Sequence, residues 1–208
     1  MTRRLAVAAA LALAGCTPDY QPKVEGAEAA AAAPSGRTAT ALFAGGCFWC
    51  TEADFEKVPG VLAAVSGYTG GGTPNPTYQQ VSAGGTGHYE AVRVSYDPGR
   101  VSYSQLVDYY FRTVDPTDAG GQFCDRGESY RTAIFVADEG ERAIALAEKA
   151  EAAAALSQDV VTPILPAGRF YEAEAYHQDY YKKSKLKYGF YRSRCGRDDR
   201  LHSLWGNL

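Results

Sequence analysis

Two cysteines three positions apart follow a pair of glycines in Gly45-Gly46-Cys47-Phe48-Trp49-Cys50. The glycines let the backbone turn tightly out of a strand, which places Cys47 at a helix N-terminus, where the partial positive charge favours thiolate over thiol. Thr51 with Asp54 offers a different cap for the same helix, one turn later. A thiolate at Cys47 is a nucleophile. The Cys-x-x-Cys spacing alone also suits a redox disulfide, a metal site or an inert buried thiol. The second residue with chemistry to offer is Glu90. Glu90, Val92, Val94 and Tyr96 share one face of an expected strand by period two. A carboxyl on an otherwise apolar face is desolvated, which raises its pKa and keeps it protonated near neutral pH.

The elements that must position these residues follow from pattern. Ala41 to Ala44 reads as a short strand, Cys47 to Lys57 as a helix and Val61 to Val65 as a second strand. Gly67 to Gly87 has no periodicity and reads as a long loop of the kind that carries function. Glu90 to Tyr96 is a strand, Asp97-Pro98-Gly99 a turn, and Ser102 with Gln105 a capping box opening a helix through Leu106, Tyr110 and Thr113. After another loop come a strand at Thr132 to Ala137, a helix at Glu139 to Ser157 and a strand at Val160 to Leu165, which together predict a βαβ unit. A short helix near Glu172 to Ser184 and an irregular C-terminal tail complete the chain. The expected fold is α/β (α+β), a two-layer sandwich on a mixed sheet.

The ends and the composition bound the setting. Arg3 and Arg4 precede an apolar run, Leu5 to Ala14, of about ten residues, too short to span a bilayer as a helix and suited to a secretory signal. Leu13-Ala14-Gly15-Cys16 resembles a bacterial lipobox, so residues 1–15 are expected as a lipoprotein signal, with Cys16 receiving lipid. Residues 16–39 hold prolines, glycines and an alanine tract with almost no large apolar residue, and read as a tether. Residues 40–208 form one expected domain, placed outside the cytoplasm on the periplasmic side and anchored to membrane through Cys16. Of five cysteines, four then remain as thiols in an oxidising compartment. With 21 basic and 24 acidic residues, the chain has no broad attraction for phosphate backbones, which argues against nucleic-acid binding.

A longer set of residues carries a resemblance. Gly46-Cys47-Phe48-Trp49 is followed by Gly67-Tyr68-Thr69-Gly70-Gly71, Asn75-Pro76-Thr77-Tyr78, Thr86-Gly87-His88-Tyr89-Glu90 and Tyr96-Asp97-Pro98. Asp115-Pro116-Thr117, Gln122, Asp125, Gly127, Tyr130-Arg131 and Ala175-Tyr176-His177-Gln178 then come in order. Over about residues 40 to 195 the chain resembles the peptide-methionine (S)-S-oxide reductases, thiol enzymes that return methionine sulfoxide to methionine. The resemblance implies Cys47 as nucleophile, Glu90 as acid, and Tyr78 and Tyr130 as ligands of the sulfoxide oxygen. It further implies Asp125 as a residue that shapes the site, and Phe48 and Trp49 as the pocket for the S-methyl group. It implies no metal or other cofactor, with electrons from thioredoxin or a similar dithiol. The substrates would be oxidised proteins or free methionine sulfoxide, handled by a monomer.

Turnover would convert the Cys47 sulfenic acid to a disulfide. Cys195, in the basic segment Arg192-Ser193-Arg194-Cys195-Gly196, is the favoured resolving cysteine because its tail is expected to be mobile, with Cys50 as the alternative. The family more commonly has glycine at position 50 and another C-terminal cysteine context, and Cys124 is read as structural. Other classes stay open on the residues themselves: a thioredoxin-like oxidoreductase using Cys47 and Cys50, a zinc module drawing Cys47, Cys50, Cys124 and Cys195 with His88 or His177, and a non-catalytic surface lipoprotein.

Overall fold

A computed structural model describes residues 36–206. The signal, the lipobox at Cys16 and nearly all of the tether lie outside the described residues. β1 (Ala39–Gly45), β2 (Val61–Thr69) and β3 (Tyr89–Tyr96) alternate with α1 (Phe48–Phe55) and α2 (Tyr78–Ala83). Next come α3 (Tyr103–Thr113), the short hairpin of β4 (Gly121–Gln122) and β5 (Asp125–Arg126), and a single 3-10 turn at Glu128–Tyr130. β6 (Thr132–Val136), α4 (Glu139–Leu156), β7 (Ile164–Pro166) and β8 (Tyr171–Glu172) lead to α5 (Tyr180–Lys183), α6 (Lys185–Arg194) and α7 (Arg197–Trp205).

Six strands form one mixed sheet in the order β7-β6-β1-β3-β2-β8. β6 and β7 are parallel, joined through α4 as the expected βαβ unit, and every other pair is antiparallel. The α/β two-layer reading holds. The core lies where α1 and α3 cover the central strands. Phe43 of β1 stacks on Phe55 of α1 at 4.7 Å and on Tyr110 of α3 at 5.2 Å, and all three are buried. Burying each such side chain contributes about 1.5–3 kcal/mol. The Ser102–Gln105 capping box forms as expected.

Four expectations are corrected. The loop expected at Gly67 to Gly87 contains the end of β2 and the whole of α2, whose start is a second capping box, Thr77 with Gln80. Gly67 belongs to β2 by its pairing with Ala91 and Glu172, and only glycine fits there, since an added Cβ would lie 2.3 Å from Phe170 and 2.4 Å from Tyr171. The strand expected at Val160 to Leu165 is confined to Ile164–Pro166, and the helix expected from Glu172 starts at Tyr180, since Tyr171–Glu172 pair with β2 instead. The C-terminal segment is helical, not irregular. Arg192 pairs with buried Asp54 of α1 through contacts of 2.9 and 3.1 Å. Arg197, 2% exposed, donates to the carbonyls of Gly45 and Thr113.

Candidate active site

Cys47 is the N-cap of α1, and its carbonyl accepts from the amides of Cys50 and Thr51 at 3.1 and 3.3 Å. The helix therefore starts at Phe48, and the Thr51 cap is not used. Gly46 makes the preceding corner at φ +80°, and a Cβ there would come within 2.5 Å of Gln122. Gln122 sits so close because its own amide bridges Asp115 and Gly121 by bonds of 2.8 Å. The thiols of Cys47 and Cys50 are both free and buried.

The free N–H of the first helical turn points at Glu90. Phe48 N–H donates to Glu90 Oε2 at 3.0 Å, which places the carboxyl beside Cys47. Burial, partly offset by that amide and reinforced by the charges of Asp125 and Cys50, raises the Glu90 pKa to about 8. The carboxyl is therefore protonated at neutral pH, as its place on the apolar face of β3 implies. Cys47 is pushed well above an ordinary thiol by burial first, then by Cys50 and Glu90. Cys50 is lowered to about 7, chiefly by its hydrogen bond with Cys47 and, against burial, by Arg197 and Arg192. The two thiols titrate as one pair, and the negative charge that follows loss of its first proton rests on the Cys50 side. At Cys47 burial outweighs the thiolate preference expected of a helix terminus, so the thiol is raised and not lowered.

Tyr130 hydrogen-bonds both Glu90 and Tyr78, so the two expected oxygen ligands converge with the carboxyl. Burial is the main cause that raises the pKa of each phenol, so both remain hydroxyl donors. Tyr78 is fixed at the start of α2, where its N–H donates to Glu174 Oε1 at 2.9 Å. Asp125 accepts from the hydroxyl of Tyr191, which also hydrogen-bonds Cys47. Phe48 and Trp49 form one side of an aromatic cluster: Phe48 lies 6.5 Å from Tyr78 and 4.9 Å from His177, and Trp49 stacks on Tyr180 at 4.0 Å. Trp49 Nε1–H donates to His177 Nδ1 at 3.0 Å, which fixes the indole.

Cys195 is bonded to Cys124, with Cα atoms 4.8 Å apart, and not to Cys47 or Cys50. Cys124, expected as a structural residue, is thus half of a disulfide at the exposed turn of the β4–β5 hairpin. Cys195 caps the C-terminus of α6, its amide bonded to the carbonyl of Tyr191 at 2.9 Å. One helical turn therefore separates it from the hydroxyl that touches Cys47. The four cysteines of the zinc reading fall into two pairs, and among the described residues no cluster of close ligand atoms joins them. Tyr191, Arg192, Arg197, Glu174 and Tyr180 escaped the sequence reading. Their signal was the density of tyrosine and arginine in the C-terminal segment.

Paired buried thiols beside a protonated carboxyl, with a second cysteine pair bonded nearby, define a thiol-based oxidoreductase. Residues 39–208 match the family model for peptide methionine sulfoxide reductase. The chain is 54% identical over 207 residues to peptide methionine sulfoxide reductase MsrA 2 of Caulobacter vibrioides, covering 98% of this chain and 99% of that one. It is 49% identical to MsrA of Bacillus licheniformis over 80% of this chain and 93% of that one. Its fold is similar to methionine sulfoxide reductase A of Corynebacterium diphtheriae, with a TM-score of 0.65, 35% identity and coverage of 80% and 82%. Reduced Mxr1 of Saccharomyces cerevisiae gives 0.68 at 30% identity, with coverage of 73% and 88%. The chain belongs to the peptide methionine sulfoxide reductase family, and its activity is thiol-dependent reduction of methionine sulfoxide to methionine.

Proposed function

We propose that Cys47 attacks the sulfur of a methionine S-sulfoxide, free or in an oxidised protein, while Glu90 protonates its oxygen. The observation that carries this reading is the Phe48 N–H bond to Glu90, which holds a protonated carboxyl beside the thiol. As Cys47 approaches substrate, its proton passes to the Cys50 side of the thiol pair. The hydroxyls of Tyr78 and Tyr130 donate to the oxygen as charge develops there, and Phe48 and Trp49 receive the methyl group. Asp125 keeps Tyr191 oriented toward Cys47. The products are methionine and a Cys47 sulfenic acid.

The Cys195 thiol then condenses with that acid, giving a Cys47–Cys195 disulfide and water. Attack by Cys124 on Cys195 releases Cys47 as a thiol and leaves Cys124–Cys195, the bond in this structure. An external dithiol of the thioredoxin type reduces it and takes up the oxidation. Cys50, hydrogen-bonded to Cys47, supports a second route in which it resolves the sulfenic acid itself.

The lipobox supports an enzyme secreted and held at a membrane through Cys16, outside the cytoplasm. We read it as a monomer that uses no metal or other cofactor. Two or more acyl chains at ~0.8 kcal/mol per buried methylene suffice for such an anchor. Among the described residues no helix is long and apolar enough to cross a membrane. The deciding experiment is single-turnover assay of the S and R epimers with the wild type and Cys47→Ser. One equivalent of methionine from the S epimer by the wild type alone is expected. Equal release by Cys47→Ser would reject the assignment.

A further inference from the structure

The outward face of α6 combines features that neither the reaction nor the core requires. Leu186 is 91% exposed and Phe190 is 70% exposed, one helical turn apart. Lys185, Lys187 and Arg194 are exposed around them. None of the three makes an ion pair among the described residues. The opposite face of the same helix supplies Tyr191 and Arg192 to the interior, so α6 is held from within and its outer face is free to meet something else.

Charge is concentrated in the same place. Residues 180–197 hold 7 of the chain's 21 basic residues and none of its 24 acidic ones. Of these, Arg192 and Arg197 turn inward to Asp54 and Lys182 pairs with Glu56 and Asp179, so the outward charge of α6 rests on Lys185, Lys187 and Arg194, around Leu186 and Phe190. Apolar side chains at the centre of a helical face with unpaired lysine and arginine beside them match a helix lying in a bilayer interface. There the apolar groups enter the acyl boundary while the long basic side chains reach lipid phosphates. A nucleic acid would satisfy the cations and leave Leu186 and Phe190 in water.

We propose that the outer face of α6 docks on an anionic phospholipid surface, with Leu186 and Phe190 entering the interface and Lys185, Lys187 and Arg194 facing the lipid phosphates. The inference is independent of the roles assigned to the cysteines. It also stands apart from the Cys16 anchor, because the face would bind lipid with or without an acyl chain.

The test uses the full chain purified from membranes, with intact mass reporting whether Cys16 carries lipid. Vesicles are either equimolar phosphatidylglycerol and phosphatidylethanolamine, or phosphatidylcholine alone. Lipidated protein is reconstituted in each and acetylated with a water-soluble reagent. Lys185 and Lys187 are expected to react at least about fivefold more slowly on anionic vesicles, in line with one near-surface contact per cation. Lys149 should react alike on both, and high salt or Leu186→Ser/Phe190→Ser should remove the difference. Protein without lipid is tested by co-sedimentation, where about 10²-fold stronger partition onto anionic vesicles is expected from three such cations. That outcome would keep the surface while rejecting the anchor. Equal labelling or equal sedimentation on both vesicles overturns the proposal. So does slow labelling before any vesicle is added, which would assign the face to a protein contact.

Discussion

The backbone N–H of Phe48 and the carboxyl of Glu90, 42 residues apart in sequence, meet at 3.0 Å in the interior. That bond joins the residue after the nucleophile to the proposed proton donor, so neither can shift without the other. Glu90→Gln retains the shape and an acceptor for the Phe48 amide but has no acidic proton. The reductase step should slow by about 10² to 10⁴, the usual loss for a general acid. Rapid-quench single turnover with S-sulfoxide measures it, and an unchanged rate would remove Glu90 from the chemistry.

The raised pKa of Glu90 also predicts how stability depends on pH. Its pKa is about 8 in the fold against an ordinary 4.5, so between those values the folded state binds more protons than the unfolded state. This group's contribution is fully present below pH 4.5 and fades as pH rises, with the loss complete above about 8. The size is on the order of 5 kcal/mol at most, at about 1.4 kcal/mol per pH unit. Denaturant titrations from pH 5 to 9 should show the decline, and Glu90→Gln should flatten it. A variant curve parallel to the wild type would mean that another group is responsible.

Asp54 is a buried acid that holds Arg192 of α6 and Arg197 of α7. Burial alone would raise its pKa, yet Arg192, Arg197 and Lys57 outweigh burial and keep it below the ordinary carboxylate range. Asp54→Asn leaves the buried guanidinium of Arg197 with carbonyl oxygens alone, while Arg192 keeps Asp198, so the cost should be at most about 3–5 kcal/mol. Hydrogen exchange should quicken across residues 185–205 more than in β1 or β3. Unaltered exchange there would show that Arg197's carbonyl bonds suffice.

The disulfide relay makes a prediction that separates the two surface cysteines. Cys124→Ser should release one methionine per enzyme and then accumulate a Cys47–Cys195 bond, visible by peptide mass after one equivalent of sulfoxide. Cys195→Ser should instead stop at the sulfenic acid, trapped with dimedone. If Cys195→Ser forms a Cys47–Cys50 bond and cycles with thioredoxin at the wild-type rate, Cys50 is the resolving residue.

Much of the catalytic half of this molecule is written locally. Gly45-Gly46 before Cys47 specifies a corner, and the period-two pattern at Glu90, Val92 and Val94 specifies which face the carboxyl occupies, so both were legible without a structure. The Thr77–Gln80 capping box was written as plainly as Ser102–Gln105, but the glycines and prolines around it masked the short α2. Gly67 looked like a loop residue because sequence cannot distinguish a glycine needed for φ from one needed for space beneath a crossing strand. The C-terminal reading failed for a different reason. A basic tail looks solvated until its acidic partner is known, and Asp54 lies 138 residues from Arg192. The Cys124–Cys195 bond, spanning 71 residues, has no local signature either.

Arg197 gives Cys195 a leash. The guanidinium grips the carbonyl of Gly45, two residues before Cys47, while the chain from Arg197 back to Cys195 is only two residues long. Two residues reach about 7 Å at full extension, so Cys195 is kept within a short span of the point where Arg197 docks beneath the strand that leads into the nucleophile. Gly196, at φ +65°, is the swivel inside that length. A resolving thiol tethered in this way works at a high effective concentration set by the leash, and lengthening the link by a few residues would dilute it without touching a single reacting atom.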